Sequence, residues 1–111
     1  MKSGILYIVA TPIGNLGDVT LRALSVLAGC DVIYAEDTRQ TRRLLSRYGL
    51  ARPLEAYHDH NKDRAVPRIV ERLRAGERVA VVSDAGMPCI SDPGFTLVRG
   101  VREPDLPWSV A

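Results

Sequence analysis

The chain has 111 residues, of which 46% are hydrophobic and 25% charged, and its formal net charge is +2. These values are typical of one soluble globular domain, and the small net charge does not by itself indicate a polyanionic partner. The two cysteines form no CxxC or Cys/His pattern, so no zinc site is expected. With no signal-peptide pattern and no apolar run of membrane-spanning length, we expect a cytoplasmic protein without a membrane partner.

Short apolar runs predict four strands, at residues 4–10, 31–36, 54–57 and 77–82. The third of these runs is the weakest. Helices are predicted at residues 19–28, 38–48, within 62–75 and at 93–102. Strands that alternate with helices favour a parallel sheet covered on both faces, so the fold class is α/β, an αβα sandwich.

Turn residues and apolar spacing define the helices further. The first is predicted to be capped by Asp18, to end at Gly29, and to bury one face formed by Leu21, Leu24, Leu27 and Ala28. Gly49 and Gly76 end the next two. Pro67 is awkward inside the third helix, which must either start near Arg64 or be kinked.

The last residues show no periodicity. Residues 1–103 are predicted to form one domain and residues 104–111 an irregular tail, with no fifth strand. A sheet that stops directly after a helix is an unusual end for a complete α/β protein. We therefore expect a domain or fragment of a longer protein whose second domain is absent.

Two Gly/Pro loops follow predicted strands. Residues 11–18, TPIGNLGD, have glycines that let a backbone approach a ligand, although an ordinary turn before a capped helix explains them equally well. Residues 83–94, SDAGMPCISDPG, end in an Asp-Pro helix start. Neither loop matches GxGxxG, a P-loop or GxSxG, so the patterns favour a small-molecule site at the strand ends over a covalent hydrolase.

Two polar segments lie near the same crevice. Glu36 and Asp37 lie at the end of the second strand, where an acid often binds ribose hydroxyls, but Asp37 alternatively caps the next helix. His58 and His60 have a spacing that some metal sites use. Without a third ligand, a polar loop is the better interpretation and no metal is predicted.

Arginines form a stripe on the second predicted helix. Arg39, Arg42, Arg43 and Arg47 share one face, and no acidic residue occurs between positions 38 and 54. A solvated helix face usually mixes charges of both signs. This pattern therefore favours contact with phosphate or an RNA backbone.

Three ordered segments resemble a known family. LYIVATPIGNLGDVTLRAL, AEDTRQTRRLL and VSDAGMPCISDPGFTLV are similar to the N-terminal half of the bacterial 16S ribosomal RNA (cytidine 2′-O) methyltransferases. That family belongs to the tetrapyrrole methylase superfamily, the class III S-adenosylmethionine-dependent methyltransferases. The resemblance implies a two-domain enzyme that binds S-adenosylmethionine between its halves and methylates a cytidine ribose in the 30S subunit.

The resemblance also implies site residues. The cofactor-binding set would be Thr11, Pro12, Gly14, Asn15, Leu16, Ser83, Asp84, Ala85, Gly86, Ile90 and Asp92. The 2′-oxygen would attack the sulfonium methyl group in line, so the protein mainly aligns the reacting atoms. Candidate bases are Asp37, Asp84 and His60, and the arginine stripe would contact 16S rRNA.

Three further expectations follow. A sheet left without its next strand would expose an edge, which predicts a homodimer. The isolated chain would lack part of its cofactor site and could be inactive alone. Two other functions remain open: a tetrapyrrole-type small-molecule methylase, and a non-catalytic domain that binds RNA or cofactor.

Overall fold

The computed structural model describes residues 4–10, 17, 19–57, 61–83 and 108–110. They form strands β1 (Ile5–Ala10), β2 (Val32–Ala35), β3 (Leu54–Ala56), β4 (Arg78–Ser83) and β5 (Trp108–Val110). The helices between them are α1 (Leu21–Gly29), α2 (Thr38–Arg47) and α3 (Lys62–Arg74). The predicted fourth helix lies outside the described residues.

All five strands are parallel and follow the order β3-β2-β4-β1-β5. Every residue of β2 is buried, as expected for a strand whose two faces are both covered. The predicted α/β sandwich is therefore confirmed.

Two apolar clusters cover opposite faces of the sheet. On one face, Ala65, Ile69 and Leu73 of α3 pack against Tyr34 and Val81. On the other face, α1 and α2 pack against β1, β2 and β4 through Ala23, Leu27, Leu44 and Leu45. The alternation of side chains along each strand separates the two clusters, since neighbouring strand residues point to opposite faces.

The start of α1 differs from the prediction. Thr20 is the N-cap, and its hydroxyl accepts the N–H of Ala23 at 3.0 Å. Threonine at this position satisfies an amide that has no helical partner. Leu21 was wrongly placed on the buried face: it lies off the stripe formed by Ala23 and Leu27 and is 86% exposed. Asp18 lies outside the described residues.

Helices α2 and α3 end close to the two glycines at which their ends were predicted. Gly49 and Gly76 have φ values of 68° and 89°, a left-handed conformation that glycine adopts without steric cost. Helix α3 begins at Lys62, so a start near Arg64 is wrong, and the helix continues through Pro67.

The tail was also predicted incorrectly. Trp108–Val110 form β5, and Leu6, Tyr7 and Ile8 of β1 pair with them in parallel. Tryptophan and valine favour strands, but three residues are too few for an alternating pattern, and two nearby prolines indicate a turn instead. One edge of the sheet therefore extends one strand beyond the prediction.

Candidate functional site

The carboxyl ends of β1, β2 and β4 lie side by side at one end of the sheet, which we call the carboxyl edge. Ala10 ends β1 and pairs in register with Ser83, which ends β4. Ala35, the last residue of β2, pairs with Val82. The segments that follow these strands therefore leave from neighbouring points. In open α/β sheets this edge forms the ligand crevice.

Most predicted cofactor-binding residues lie outside the described ranges. Ser83 is the last residue of β4. The others are Thr11, Pro12, Gly14, Asn15, Leu16, Asp84, Ala85, Gly86, Ile90 and Asp92. Their assignment stays a prediction, as does that of two of the candidate bases, Asp84 and His60, which also lie outside.

Asp37 is the one candidate base that the structure describes, and it is the N-cap of α2. Its Oδ1 accepts the backbone N–H groups of Arg39 at 3.0 Å and Gln40 at 3.1 Å. These amides have no carbonyl partner within the helix, so the carboxylate stabilises the first turn. Within the described part of the chain, Oδ2 makes no hydrogen bond. The capping interpretation is therefore confirmed.

Helix α2 separates its apolar and cationic faces. Thr41, Leu44 and Leu45 are buried. The exposed face carries four arginines that line a shallow depression together with Ser46: Arg39, Arg42, Arg43 and Arg47. The predicted stripe therefore exists as a continuous surface, which we call the α2 arginine surface.

The α2 arginine surface carries uncompensated positive charge. Among the residues that the structure describes, no carboxylate lies within ion-pair distance of its four guanidinium groups. Arg47 lies over the ring of Tyr48, with 5.8 Å between the guanidinium carbon and the ring centroid. Exposed arginines without acidic partners suit a polyanion, because their charge is planar, permanent and weakly hydrated.

Arg52 follows α2 in the sequence but has a different role. Its Nε and Nη2 atoms donate to the carbonyl oxygen of Ala28, at 3.1 and 2.6 Å. This carbonyl belongs to the last turn of α1, where helical amides cannot reach it. Arg52 thus stabilises the end of α1, which sequence spacing could not indicate because the two residues are 24 positions apart.

A second charged cluster was missed on the opposite face of the sheet. Arg72 of α3 lies 3.7 Å from a Glu55 carboxylate oxygen and 3.2 Å from one of Glu77. The nearby Tyr34 ring is buried, and its hydroxyl makes no hydrogen bond within the described structure. Burial raises the pKa of Tyr34, the adjacent Glu55 carboxylate raises it further, and the Arg72 guanidinium opposes them. The hydroxyl is therefore protonated at neutral pH.

The helices of the described ranges are too short or too polar to span a membrane. The same residues contain no group of three His, Cys, Asp or Glu side chains arranged to hold a metal ion. His58 and His60, the alternative metal pair, lie outside those ranges.

Curated proteins with one shared name match most of the chain. The Haemophilus influenzae protein "Ribosomal RNA small subunit methyltransferase I" is 57% identical over 101 residues, which cover 91% of this chain and 36% of that protein. The Pseudomonas aeruginosa protein of the same name is 49% identical over 116 residues, covering 100% of this chain and 41% of that protein. The chain thus spans little more than a third of the length of these relatives.

Solved structures share the fold. Uroporphyrin-III-C-methyltransferase from Thermus thermophilus superposes with a TM-score of 0.75 at 22% identity, covering 97% of this chain and 46% of that one. Diphthine synthase gives a TM-score of 0.76 at 13% identity, with 96% and 43% covered. A family model described as Tetrapyrrole (Corrin/Porphyrin) Methylases matches residues 5–111. The chain therefore belongs to the tetrapyrrole methylase family and has the class III methyltransferase fold.

Proposed function

We propose that this chain is the N-terminal part of a S-adenosylmethionine-dependent enzyme that methylates the 2′-hydroxyl of a cytidine ribose in 16S rRNA. The observation that carries the proposal is the 49–57% identity to relatives named as small-subunit rRNA methyltransferases. The convergence of β1, β2 and β4 at one edge and the α2 arginine surface support it independently. Together they provide a crevice for a small molecule and a surface for a polyanion.

The strand ends fit the proposed cofactor. Because Ala10 and Ser83 are register partners, the predicted cofactor-binding segments 11–16 and 84–86 begin at neighbouring points of the sheet, which suits a ligand that both segments contact. When bound there, S-adenosylmethionine supplies a methyl group activated by its sulfonium charge. The chain contributes alignment of the two reactants, which removes the entropic cost of bringing them together.

Asp37 is the candidate base with a described position. Its Oδ1 is committed to the α2 cap, and its Oδ2 is free within the described structure to accept a proton from a ribose hydroxyl. His60 and Asp84 stay alternative candidates on sequence grounds. Any of them would act at the carboxyl edge, since each follows a strand that ends there.

The α2 arginine surface provides the proposed contact with 16S rRNA. Its helix starts at Thr38, directly after the cap residue Asp37, so the cationic face begins close to the carboxyl end of β2. Phosphate contacts of this kind position an RNA and make binding salt-dependent. The base identity and the position of the target nucleotide must be determined by other contacts.

Calorimetry and RNA binding test the two halves of the proposal separately. The protein used is the chain fused to the segment of a curated relative that lies beyond the aligned region. In calorimetry, S-adenosylhomocysteine should give a measurable heat of binding to this fused protein. A 16S rRNA fragment should bind with an affinity that falls steeply with salt. Absence of cofactor binding in the fused protein, with RNA binding retained, would favour a non-catalytic RNA-binding domain.

A small-molecule methylase of the tetrapyrrole type is the second candidate, favoured by the description of the family that the chain matches. Such an enzyme needs no cationic surface. Replacing Arg42 and Arg43 by Glu should leave its methyl transfer intact, whereas rRNA methylation should be lost. These arginines are exposed and form no ion pair with any described residue, which favours the rRNA enzyme.

We also propose that the protein is a cytoplasmic homodimer. A homodimer was expected because a sheet without its next strand would expose an edge. This reason is weakened, because β5 pairs with β1 and covers that side of it. The remaining support is that β5 is an outer strand of the sheet and presents backbone groups that a second copy can pair with. Light scattering at tens of micromolar should give twice the chain mass of 12.2 kDa, and a monomer mass would contradict the dimer.

A further inference from the structure

A cleft of about 620 Å³ opens between β3 and the first half of α3, on the sheet face opposite to α2. Asn61, Arg64 and Arg68 line it from the helix side, and Tyr34 and Glu55 line it from the sheet. The Asn61 side-chain amide donates to the carbonyl of Ala56 at 2.8 Å, which ties the start of α3 to the end of β3. This hydrogen bond holds the helix and the strand together at one end of the cleft. Its volume is in the range of roughly 300–1,000 Å³ that small-ligand sites occupy.

Three arginines line up along this side of α3, but their charges are compensated unequally. Arg64, Arg68 and Arg72 are spaced four residues apart and share one helix face. Arg72 is neutralised by Glu55 and Glu77. Arg64 and Arg68 are exposed, and within the described residues neither forms an ion pair. The positive charge of the row is thus concentrated at its two N-terminal members.

The position of these two arginines favours an anion. Arg64 lies in the first turns of α3, where the helix dipole disfavours a cation and stabilises a bound negative charge. Asp63 is also exposed in the first turn, although it does not line the cleft. Glu55, the carboxylate that does line it, is only partly compensated because it shares Arg72 with Glu77, but the two arginines of the cleft outweigh its charge. The remaining lining residues carry no charge: Tyr34, Ala56, Asn61 and Ala65.

The cleft and the α2 arginine surface flank the same strand. Helix α2 packs against β3 from one face, while Asn61 and Arg72 contact β3 residues from the other. An extended polyanion that crosses the edge of the sheet at β3 can therefore reach both sets of arginines. A small anion would use one set alone.

Building on the proposed rRNA function, we propose that this cleft is a second RNA-binding subsite, in which Arg64 and Arg68 bind neighbouring phosphates of the ribose–phosphate backbone. The two residues are separated by one helical turn, about 6 Å along the axis, so each can contact its own phosphate. The RNA passes over β3 between this subsite and the α2 arginine surface. The subsite fixes the direction of the strand and carries no base specificity.

The test compares matched charge-neutralising variants of the 111-residue chain. Fluorescence anisotropy with a 20-nucleotide single-stranded RNA gives the binding constant between 50 and 300 mM salt for Arg64→Gln/Arg68→Gln, Arg42→Gln/Arg43→Gln and Arg74→Gln. Arg74 is an exposed arginine of the same helix that does not line the cleft, and circular dichroism checks that each variant is folded. Loss of two phosphate contacts should lower the magnitude of the negative slope of log K against log salt by about 1.4, while Arg74→Gln keeps the wild-type slope.

The outcomes separate this inference from the proposed function. If Arg42→Gln/Arg43→Gln lowers the slope but Arg64→Gln/Arg68→Gln does not, the cleft is not an RNA subsite, and the rRNA function stands. If the unmodified chain shows no salt-dependent RNA binding, the subsite and the RNA contact of the α2 arginine surface are both overturned, while methyl transfer by the fused protein still tests the proposed activity. A lowered slope for both double variants, with an additive loss in the quadruple variant, supports a strand that contacts both surfaces.

Discussion

Ala10 and Ser83 are register partners at the carboxyl ends of two adjacent parallel strands. They are 73 positions apart in the sequence, yet the segments that follow them begin side by side. Those two segments carry the family motifs, and the pairing of β1 with β4 brings the points at which they begin to the same end of the sheet. The stability of this pairing is therefore a condition for any function of the crevice.

The cap of α2 separates the structural and chemical roles of Asp37. Asp37→Ala should lower the free energy of unfolding by about 1 kcal/mol, because the N–H groups of Arg39 and Gln40 lose their acceptor. Asp37→Asn keeps a capping oxygen and should change stability by less than about 0.5 kcal/mol. Urea denaturation measures both. Equal destabilisation by the two variants would show that the negative charge, rather than the hydrogen bonds, stabilises the helix.

Gly4 lies where two backbone segments approach each other too closely for a side chain. Its N–H donates to the carbonyl of Leu73 at 2.7 Å, and a Cβ atom at this position would overlap the Glu77 carbonyl. Gly4→Ala should therefore destabilise the chain by about 1–3 kcal/mol, since the start of β1 must move. Gly29→Ala is the matched control, because a Cβ there has no neighbour closer than 3.9 Å and alanine favours a helix. Thermal unfolding that ranks the two variants equally would contradict the backbone contact.

Cys30 makes stability depend on pH. Its thiol is buried beneath α1 and donates to the carbonyl of Leu27 at 3.1 Å, and burial raises its pKa from 9.0 to about 11. The unfolded chain loses the thiol proton at a lower pH than the folded chain does. The stabilisation is therefore complete below pH 9 and is lost as the pH rises towards 11, by about 2 kcal/mol.

Denaturation of the wild type and Cys30→Ala between pH 8 and 11 isolates this effect. Other titrating groups, including Tyr34, act equally in both proteins, so the difference between them reports Cys30. The advantage of the wild type should shrink as the pH rises. A constant difference over this range would mean that the thiol is not protected from ionisation by the fold.

Arg52 should affect stability but not RNA binding. Its guanidinium is engaged with the Ala28 carbonyl, so Arg52→Gln should destabilise the chain by about 0.5–1 kcal/mol, a value reduced by the exposure of the side chain. The slope of RNA binding with salt should stay at the wild-type value. A lowered slope with unchanged stability would assign Arg52 to the RNA surface instead.

The sequence predicts the strands and helices whose signals are local. β1, β2 and β4 are continuous apolar runs because both of their faces are covered, and α2 is bounded by Asp37 and Gly49, whose backbone roles follow from their chemistry. The start of α1 was missed because Asp18 and Thr20 are both good caps, and local sequence does not choose between them. Strand β5 was missed because it forms by pairing with β1, more than 100 positions away.

The candidate functional residues also divide into those that local sequence predicts and those that depend on distant contacts. The α2 arginine surface could be predicted because i, i+3, i+4 and i+8 spacing places its members on one helix face. The cleft beside α3 could not, since it depends on the contacts of Arg72 with Glu55 and Glu77, which neutralise one arginine of three. Spacing shows which residues share a face, but only the fold shows which charges are compensated.

Methyl transfer to ribosomal RNA tests the central claim most directly. The chain, fused to the segment of a curated relative that lies beyond the aligned region, is incubated with radiolabelled S-adenosylmethionine and 30S subunits, and labelled nucleotides are mapped by their resistance to alkaline cleavage. The account predicts label on the 2′-oxygen of a cytidine in 16S rRNA, abolished by Arg42→Glu/Arg43→Glu. Two results would contradict it: label on a tetrapyrrole but not on RNA, or transfer to RNA that the two arginine substitutions do not reduce.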